Sequence, residues 1–487
     1  RPDTPSTSIN SMWRWGGLSQ ALRWITLFQI GIASTSHPST WQPWKWNGWE
    51  EKFPSMYFAA DPTGLIEDHS RLAKISNFSL AIFEYRMGQF IQDPGWADLK
   101  GEVFSEEQCE VLAKLPNAPP CMVYRNGMWA GYFYTGQNQM LNRQELFLKH
   151  NADDECNGTL GFSNFAETGR QLCRYNFSNP ACSSKFANSV LDEIGNEESV
   201  LGSFLDNAES VHCDSEDVQV ILTDQERAEI QNATMEAWKI GFAKMVGKGR
   251  YPVLSTTNQF KSVDFPVVPF ENECPYPEEN ILESLQGIPF ARNYEFFMWQ
   301  LNQTCSAQIQ NMIEESSHGI PVFVHVPWFP NSKGCLGGCR DNKNRIREFS
   351  EAEFLEMSIA GFLVGMGKGS YFGFSNMQDK DDPYAMGGWY DSSWKYYSQY
   401  DQLRTGKPEG PAEMDADKMF FRRTFKNGNV SLDCRTGAYN LSFPASGLES
   451  HLDNPSTKKA MLLPSLRKGT CVMIHGIKRC FTRDFFS

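Results

Sequence analysis

"IPVFVHVPW", residues 320–328, is a short, almost wholly apolar run that is followed by "SEAEFLEMSIAGFLVGMG" (350–367) and then by "GSYFGFS" (369–375). The first and third segments read as strands and the middle one as a helix. Strand, helix, strand in this order is the sequence mark of a βα unit and a parallel sheet.

Working back toward the N-terminus, the same unit recurs. Strand-like runs occur at "SMYFAAD" (55–61), "SLAIFEYRM" (79–87), "CMVYRN" (121–126), "VLGSFLDN" (200–207), "YPVLSTTN" (251–258) and "IPFARNYEFFM" (288–298). Between them, "TGLIEDHSRLAKIS" (63–76) spaces Leu65, Ile66, His69, Leu72 and Ile75 on one helical face. Further helices are predicted at "SEEQCEVLAKL" (105–115), "NQMLNRQELFLKH" (138–150), 223–246 with Thr223 as its cap, near 278–286 and around 300–317. Residues 151–198, rich in Cys, Asn and Ser, interrupt the rhythm as a disulfide-pinned insertion. Eight strand-helix pairs make a (β/α)8 TIM barrel over residues 37–417 the simplest account. An open doubly wound sheet is the competing account, but no Gly-rich phosphate turn follows the first strand. The Gly-x-Gly within "GMGKGSYFG" lacks the context of a nucleotide site. Beyond residue 418 the pattern turns to hairpins, around Asn427-Gly428 in "MFFRRTFKNGNVSLDC" and in "CVMIHGIKRC", so 418–487 reads as a small β appendage.

The chain has 487 residues, 41% of them hydrophobic, enough for a sizeable core. Its formal charge of −13 argues against a nucleic-acid partner, which calls for a basic footprint. Arg14 and Arg23 precede the apolar "WITLFQIGIA" (24–33) and the small residues of "STSHPST". This is the pattern of a secretory signal over residues 1–36, an N-terminal buried or interfacial helix being the alternative. The stretch is shorter than the ~20 residues of a membrane span. Seven N-x-S/T sequons, at Asn77, Asn157, Asn176, Asn232, Asn302, Asn429 and Asn440, agree with a secreted glycoprotein. So do thirteen cysteines, an odd number that leaves at least one unpaired within the chain. Cys156, Cys173, Cys182 and Cys213 fall in one region, Cys335 lies near Cys339 and Cys471 near Cys480; disulfides are expected.

In a barrel of this kind the residues at C-terminal strand ends form the active face. Here they are Asp61, Glu84, Arg125, Asp206, Asn258, Glu295 and His325. Asp206 and Glu295, at the fourth and sixth strands, suit a pair in which one carboxyl protonates a leaving oxygen and the other attacks or activates water. The blander readings are a helix cap or an ion pair with Arg125 for Asp206, and a buried partnership with Arg292 for Glu295. Asp61, Glu84, Arg125, Asn258 and His325 are candidate substrate-binding residues. Trp328 and Trp389, among loop aromatics that include Trp129, Trp299 and Tyr390, offer flat faces to sugar rings. Aromatics that merely close the barrel ends would look the same in sequence. No metal or organic cofactor is expected; a metal-assisted hydrolase using Asp61, Glu84 and His325 is the rival chemistry.

The segment from "GSYFGFSNMQDKDDPYAMGGWYDSSWKYYSQYDQLRTGKPEGPAEM" to "FFRRTFKNGNVSLDC", with "FLDNAE" and "NYEFFM" upstream, resembles the hypothetical glycosyl hydrolase family fifteen. The resemblance spans most of residues 55–435. It implies a (β/α)8 barrel that hydrolyses glycosidic bonds, with Asp206 and Glu295 at the family's acidic strand ends. The expectation is a secreted glycoside hydrolase acting on a polysaccharide or glycan. The alternative is a secreted barrel that binds carbohydrate without cleaving it.

Overall fold

The computed structural model describes residues 46, 48–59, 64–84, 87, 101–127, 129–130, 143–147, 173–190, 198–206, 224–255, 285, 287–294, 297–298, 301–328, 333–335, 338–376, 400, 403–443, 471–474 and 477–480. Eight strands make one parallel sheet in simple sequential order: β1 (Met56–Ala59), β2 (Leu80–Phe83), β3 (Cys121–Asn126), β4 (Val200–Asp206), β5 (Tyr251–Ser255), β6 (Ala291–Tyr294), β7 (Val322–Trp328) and β8 (Tyr371–Asn376). A parallel bridge between Ser55 and Phe372 brings the last strand back to the first, and the Phe372 N–H donates to the Pro54 carbonyl at 2.8 Å. The architecture is the (β/α)8 barrel expected from the strand-helix rhythm.

These strands are buried on both faces, which is why they read as continuous apolar runs. Among the described residues the helices of the outer layer include α1 (His69–Ile75), α2 (Gly101–Ala113), α3 (Asp224–Gly247), α4 (Gln303–Ser317) and α5 (Glu351–Gly365). Helix α1 is shorter than its periodicity predicts. Asp68 caps it, accepting from the Arg71 N–H at 2.8 Å, so Leu65 and Ile66 precede the first turn. Of the helix predicted at 138–150, residues 143–147 are described, and they hold a 3-10 turn at Gln144–Leu146. Part of the Cys-rich segment supplies outer-layer packing between β3 and β4. Its helix Pro180–Lys185 runs on into a π turn, Phe186–Val190, and Cys182 and Phe186 share a core cluster with Trp238, Phe242 and Met245 of α3. Cys182 is a buried free thiol, not a disulfide member as expected; burial pushes its pKa up to about 12.

Helix α5 starts with a capping box: Glu353 N–H donates to Ser350 Oγ, and Ser350 N–H to the Glu353 carboxylate at 2.7 Å. Its residues from Phe354 to Gly365 are apolar almost all round because both sides are covered. The barrel lies on one side. On the other is an antiparallel sheet of β9 (Glu413–Met414), β10 (Phe420–Phe425), β11 (Gly428–Asp433) and β12 (Ala438–Ser442). Phe421, Phe425, Val430 and Leu432 join the same buried cluster as Phe354, Phe362 and Met312. Tyr400 and Tyr439 both donate to Glu356 of α5, at 2.9 and 2.6 Å, and Cys305–Cys434 bonds the sheet to α4. The β10–β11 turn differs by one residue from the Asn-Gly expectation, because Phe425 pairs with Gly428 and the loop is Lys426-Asn427. Gly428 serves a close approach instead: a Cβ there would lie 2.1 Å from the Ser442 carbonyl oxygen. The chain divides into two compact units, residues 1–444 and 445–487. The second contains the hairpin β13 (Cys471–Ile474) and β14 (Ile477–Cys480), whose register sets Cys471 opposite Cys480.

Candidate functional site

Strand residues alternate between the barrel interior and the helix layer. Contacts show which is which. Cys121 is bonded to Cys109 of α2, and Val123 packs in the same outer cluster, so Met122, Tyr124 and Asn126 face inward. On β4, Leu205 packs outward beneath Trp238, leaving Gly202, Phe204 and Asp206 inside. On β7, Val322, Val324, Val326 and Trp328 belong to the outer core, leaving Phe323, His325 and Pro327 inside.

Midway along the barrel the interior is aromatic. Phe58 meets Phe204 edge-on at 5.3 Å, Tyr124 stacks against Phe204 at 6.2 Å, and Phe58 lies 5.5 Å from the His325 ring. Gly202 lets the backbone of β5 approach closely, since a Cβ there would lie 1.9 Å from the Tyr251 carbonyl oxygen. Toward the C-terminal strand ends the inward residues become polar: Asn126, Asp206, Ser255, Asn293 and Ser375, with Glu84 just past the end of β2. The two layers are joined by hydrogen bonds. Tyr124 donates its hydroxyl to Asp206 Oδ2 at 2.5 Å, and His325 Nε2 lies 3.0 Å from Ser375 Oγ. Asn293 donates to Ser255 Oγ at 2.9 Å.

Asp206 is half-buried at the mouth, whereas Glu84 is 4% exposed. Burial lowers the His325 pKa to about 3, so its imidazole is neutral and serves as a hydrogen-bonding group at ordinary pH. A half-buried carboxylate above an aromatic floor, accepting from the Tyr124 hydroxyl, can accept a proton, attack an electrophilic carbon or orient a hydroxyl.

The structure thus brings Glu84, Asp206 and His325 to one inner face. It puts two other candidates on the opposite face. Arg125 shares the face of Cys121 and is 2% exposed; Trp328 is 6% exposed and packs on Phe354 of α5 at 5.5 Å. Arg292 pairs with Glu315 of α4 at 3.2 Å, a different carboxylate from the one suggested by sequence proximity. Asp61, Asn258, Glu295 and Trp389 lie outside the described residues. Tyr124, Asn126, Ser255, Asn293 and Ser375, all without formal charge, are not among the residues singled out from the sequence. Asn126 and Ser375 close the segments "CMVYRN" and "GSYFGFS" and were legible there; Tyr124, Ser255 and Asn293 carry no local mark. Among the described residues no group of three His, Cys, Asp or Glu is placed to hold a metal, and no helix is long and apolar enough to cross a membrane.

No family model matches the chain, and no curated protein matches it. Solved structures do. A sucrose 6F-phosphate phosphorylase from Thermoanaerobacter thermosaccharolyticum is 10% identical with a TM-score of 0.43, over 84% of this chain and 97% of that one. A GH36 α-galactosidase from Geobacillus stearothermophilus is 6% identical with a TM-score of 0.42, over 80% of this chain and 48% of that one. This chain therefore spans about half the length of that α-galactosidase. A xylosidase from Aspergillus niger is 10% identical with a TM-score of 0.40, over 73% and 49% of the two chains. At such identities and scores the likeness carries no argument about what this chain does.

Proposed function

We propose that this chain is a secreted glycoside hydrolase acting on a polysaccharide or glycan, in the manner of the hypothetical glycosyl hydrolase family fifteen that its sequence resembles. The observation that supports this most is the change of the barrel interior from an aromatic layer to a polar one at the C-terminal strand ends, with Asp206 in the polar layer. Sugars have this same duality, apolar ring faces and a rim of hydroxyls. In this reading Asp206 and Glu295 are the two carboxyl groups of glycosidic cleavage. Glu295 follows Asn293 by two positions in the sequence. Glu84, His325 and the neutral amides and hydroxyls bind substrate hydroxyls. Three disulfides among the described residues, Cys109–Cys121, Cys305–Cys434 and Cys335–Cys339, support an oxidising compartment.

The test is release of reducing ends from a panel of polysaccharides and aryl glycosides, with Asp206→Asn and Glu295→Gln as controls. Turnover by the native chain that both substitutions abolish supports the reading. Full activity in both variants would sink the assignment. Binding of the same sugars with no new reducing ends would instead establish the non-catalytic carbohydrate-binding alternative. The anomer first released then distinguishes retention from inversion.

A further inference from the structure

The C-terminal sheet carries two sequons in an unusual mutual arrangement. Asn429-Val430-Ser431 lies on β11 and Asn440-Leu441-Ser442 on β12, the neighbouring antiparallel strand. The register sets Asn429 opposite Ser442 and Ser431 opposite Asn440, so each acceptor asparagine faces the hydroxyl residue of the other sequon. Both asparagines are exposed, and Asn440 Nδ2 donates to Asn429 Oδ1 at 3.2 Å. Val430 and Leu441 point the other way, Val430 into the core. The face around the pair is small and polar, with Thr424 beside Asn429 and Arg422 beside Ser431 on β10.

We propose that this face is an N-glycan attachment site at which each molecule carries one glycan, on Asn429 or on Asn440. The inference rests on the secreted reading above. In the reaction, the C1–O bond to the pyrophosphate of a lipid-linked oligosaccharide donor breaks and a bond from C1 to the asparagine Nδ2 forms. The lipid pyrophosphate leaves with the bonding electron pair, and the amide loses one proton to the medium. A sugar on either amide spans about one strand spacing, ~4.8 Å, and covers the neighbouring amide. A chain modified at both has to crowd two sugars over one hydrogen-bonded pair of side chains. The position also has a use. Strand β12 is an edge of the four-stranded sheet, and an exposed edge is a template for pairing with another chain. A glycan at its side blocks that approach.

The experiment is secretion of the full chain from a eukaryotic cell line, followed by cleavage after lysine. The peptide 427–458 then holds both acceptors, because Lys426 and Lys458 bound it and Asn454 precedes a proline. Enzymatic glycan release in heavy-oxygen water marks each formerly modified asparagine. The expected result is one mark per peptide, divided between the two positions. Ser431→Ala should move all of it to Asn440 and Ser442→Ala all of it to Asn429, with Asn side chains retained in both variants. Two marks on one peptide, or none on 427–458 while other sequons are modified, overturns the proposal alone. No glycan at any sequon overturns it together with the secreted reading.

Discussion

The two faces of the barrel strands are made from the same short segments and differ in kind. The outer face of β7 presents Val322, Val324, Val326 and Trp328 to α4 and α5, all buried in one apolar cluster. Its inner face presents Phe323, His325 and Pro327, and at the level of His325 the interior begins to carry hydrogen bonds. The outer face is a packing surface along its whole length. The inner face is an apolar packing surface only halfway, because toward the C-terminal strand ends its buried residues, Asn126, Ser255, Asn293 and Ser375 among them, are polar. A tryptophan and a histidine three residues apart therefore have unrelated roles, and position along the strand says less than the parity of the position.

Substitutions on the two faces should separate activity from stability. The largest effect is expected at Asp206. Asp206→Asn should lower turnover by about 10²–10⁴ while the urea midpoint barely moves, the range for loss of a carboxyl acting in acid–base chemistry. A large fall in midpoint with activity retained would make Asp206 a structural residue. Trp328→Ala should do the reverse, destabilising by about 3–5 kcal/mol through loss of buried volume, with KM unchanged in the folded fraction. A raised KM at unchanged stability would return Trp328 to the substrate.

Tyr124→Phe sits at the join between the layers. Removing the hydroxyl that donates to Asp206 should cost about 1.5–3 kcal/mol in transition-state stabilisation or stability, and should shift the acid limb of the pH–rate profile upward. An unmoved acid limb would separate Tyr124 from the chemistry. A further effect, confined to acid pH, is the pH dependence contributed by His325. Its pKa is lowered from 6.5 to about 3, so between these values the unfolded chain binds a proton that the folded chain does not. Stability contributed by the neutral ring is complete above 6.5 and falls with pH below it, by up to about 1.4 kcal/mol per pH unit. His325→Gln should flatten that part of the curve in urea melts collected from pH 7 to 4; an unchanged slope would assign the acid sensitivity elsewhere.

The comparison with the C-terminal sheet explains how much was legible beforehand. There one face is in contact with α5 and the other is exposed, so Asn429, Val430, Ser431, Leu432 and Asp433 alternate polar and apolar in sequence as they alternate less and more buried in space. In the barrel both faces are buried, and a run such as "VFVHV" hides which residues point inward. This is why Trp328 and Arg125 read as mouth residues and Tyr124 and Asn293 did not. The disulfides divide similarly. Cys335–Cys339 closes a loop of sequence separation 4 and was expected from spacing alone; Cys305–Cys434 spans 129 positions, and no local pattern announces it.

Sequence alone determined the strand-helix alternation, the parallel barrel it implies and the carboxylate that ends β4, because apolar runs, caps and chain order are local properties. Tertiary structure alone decided which face each residue occupies, that part of the Cys-rich segment packs as outer layer against α3, and that Asn429 and Asn440 meet across two strands. The physical reason is that these depend on what covers each element, and the covering surface comes from residues distant in the chain.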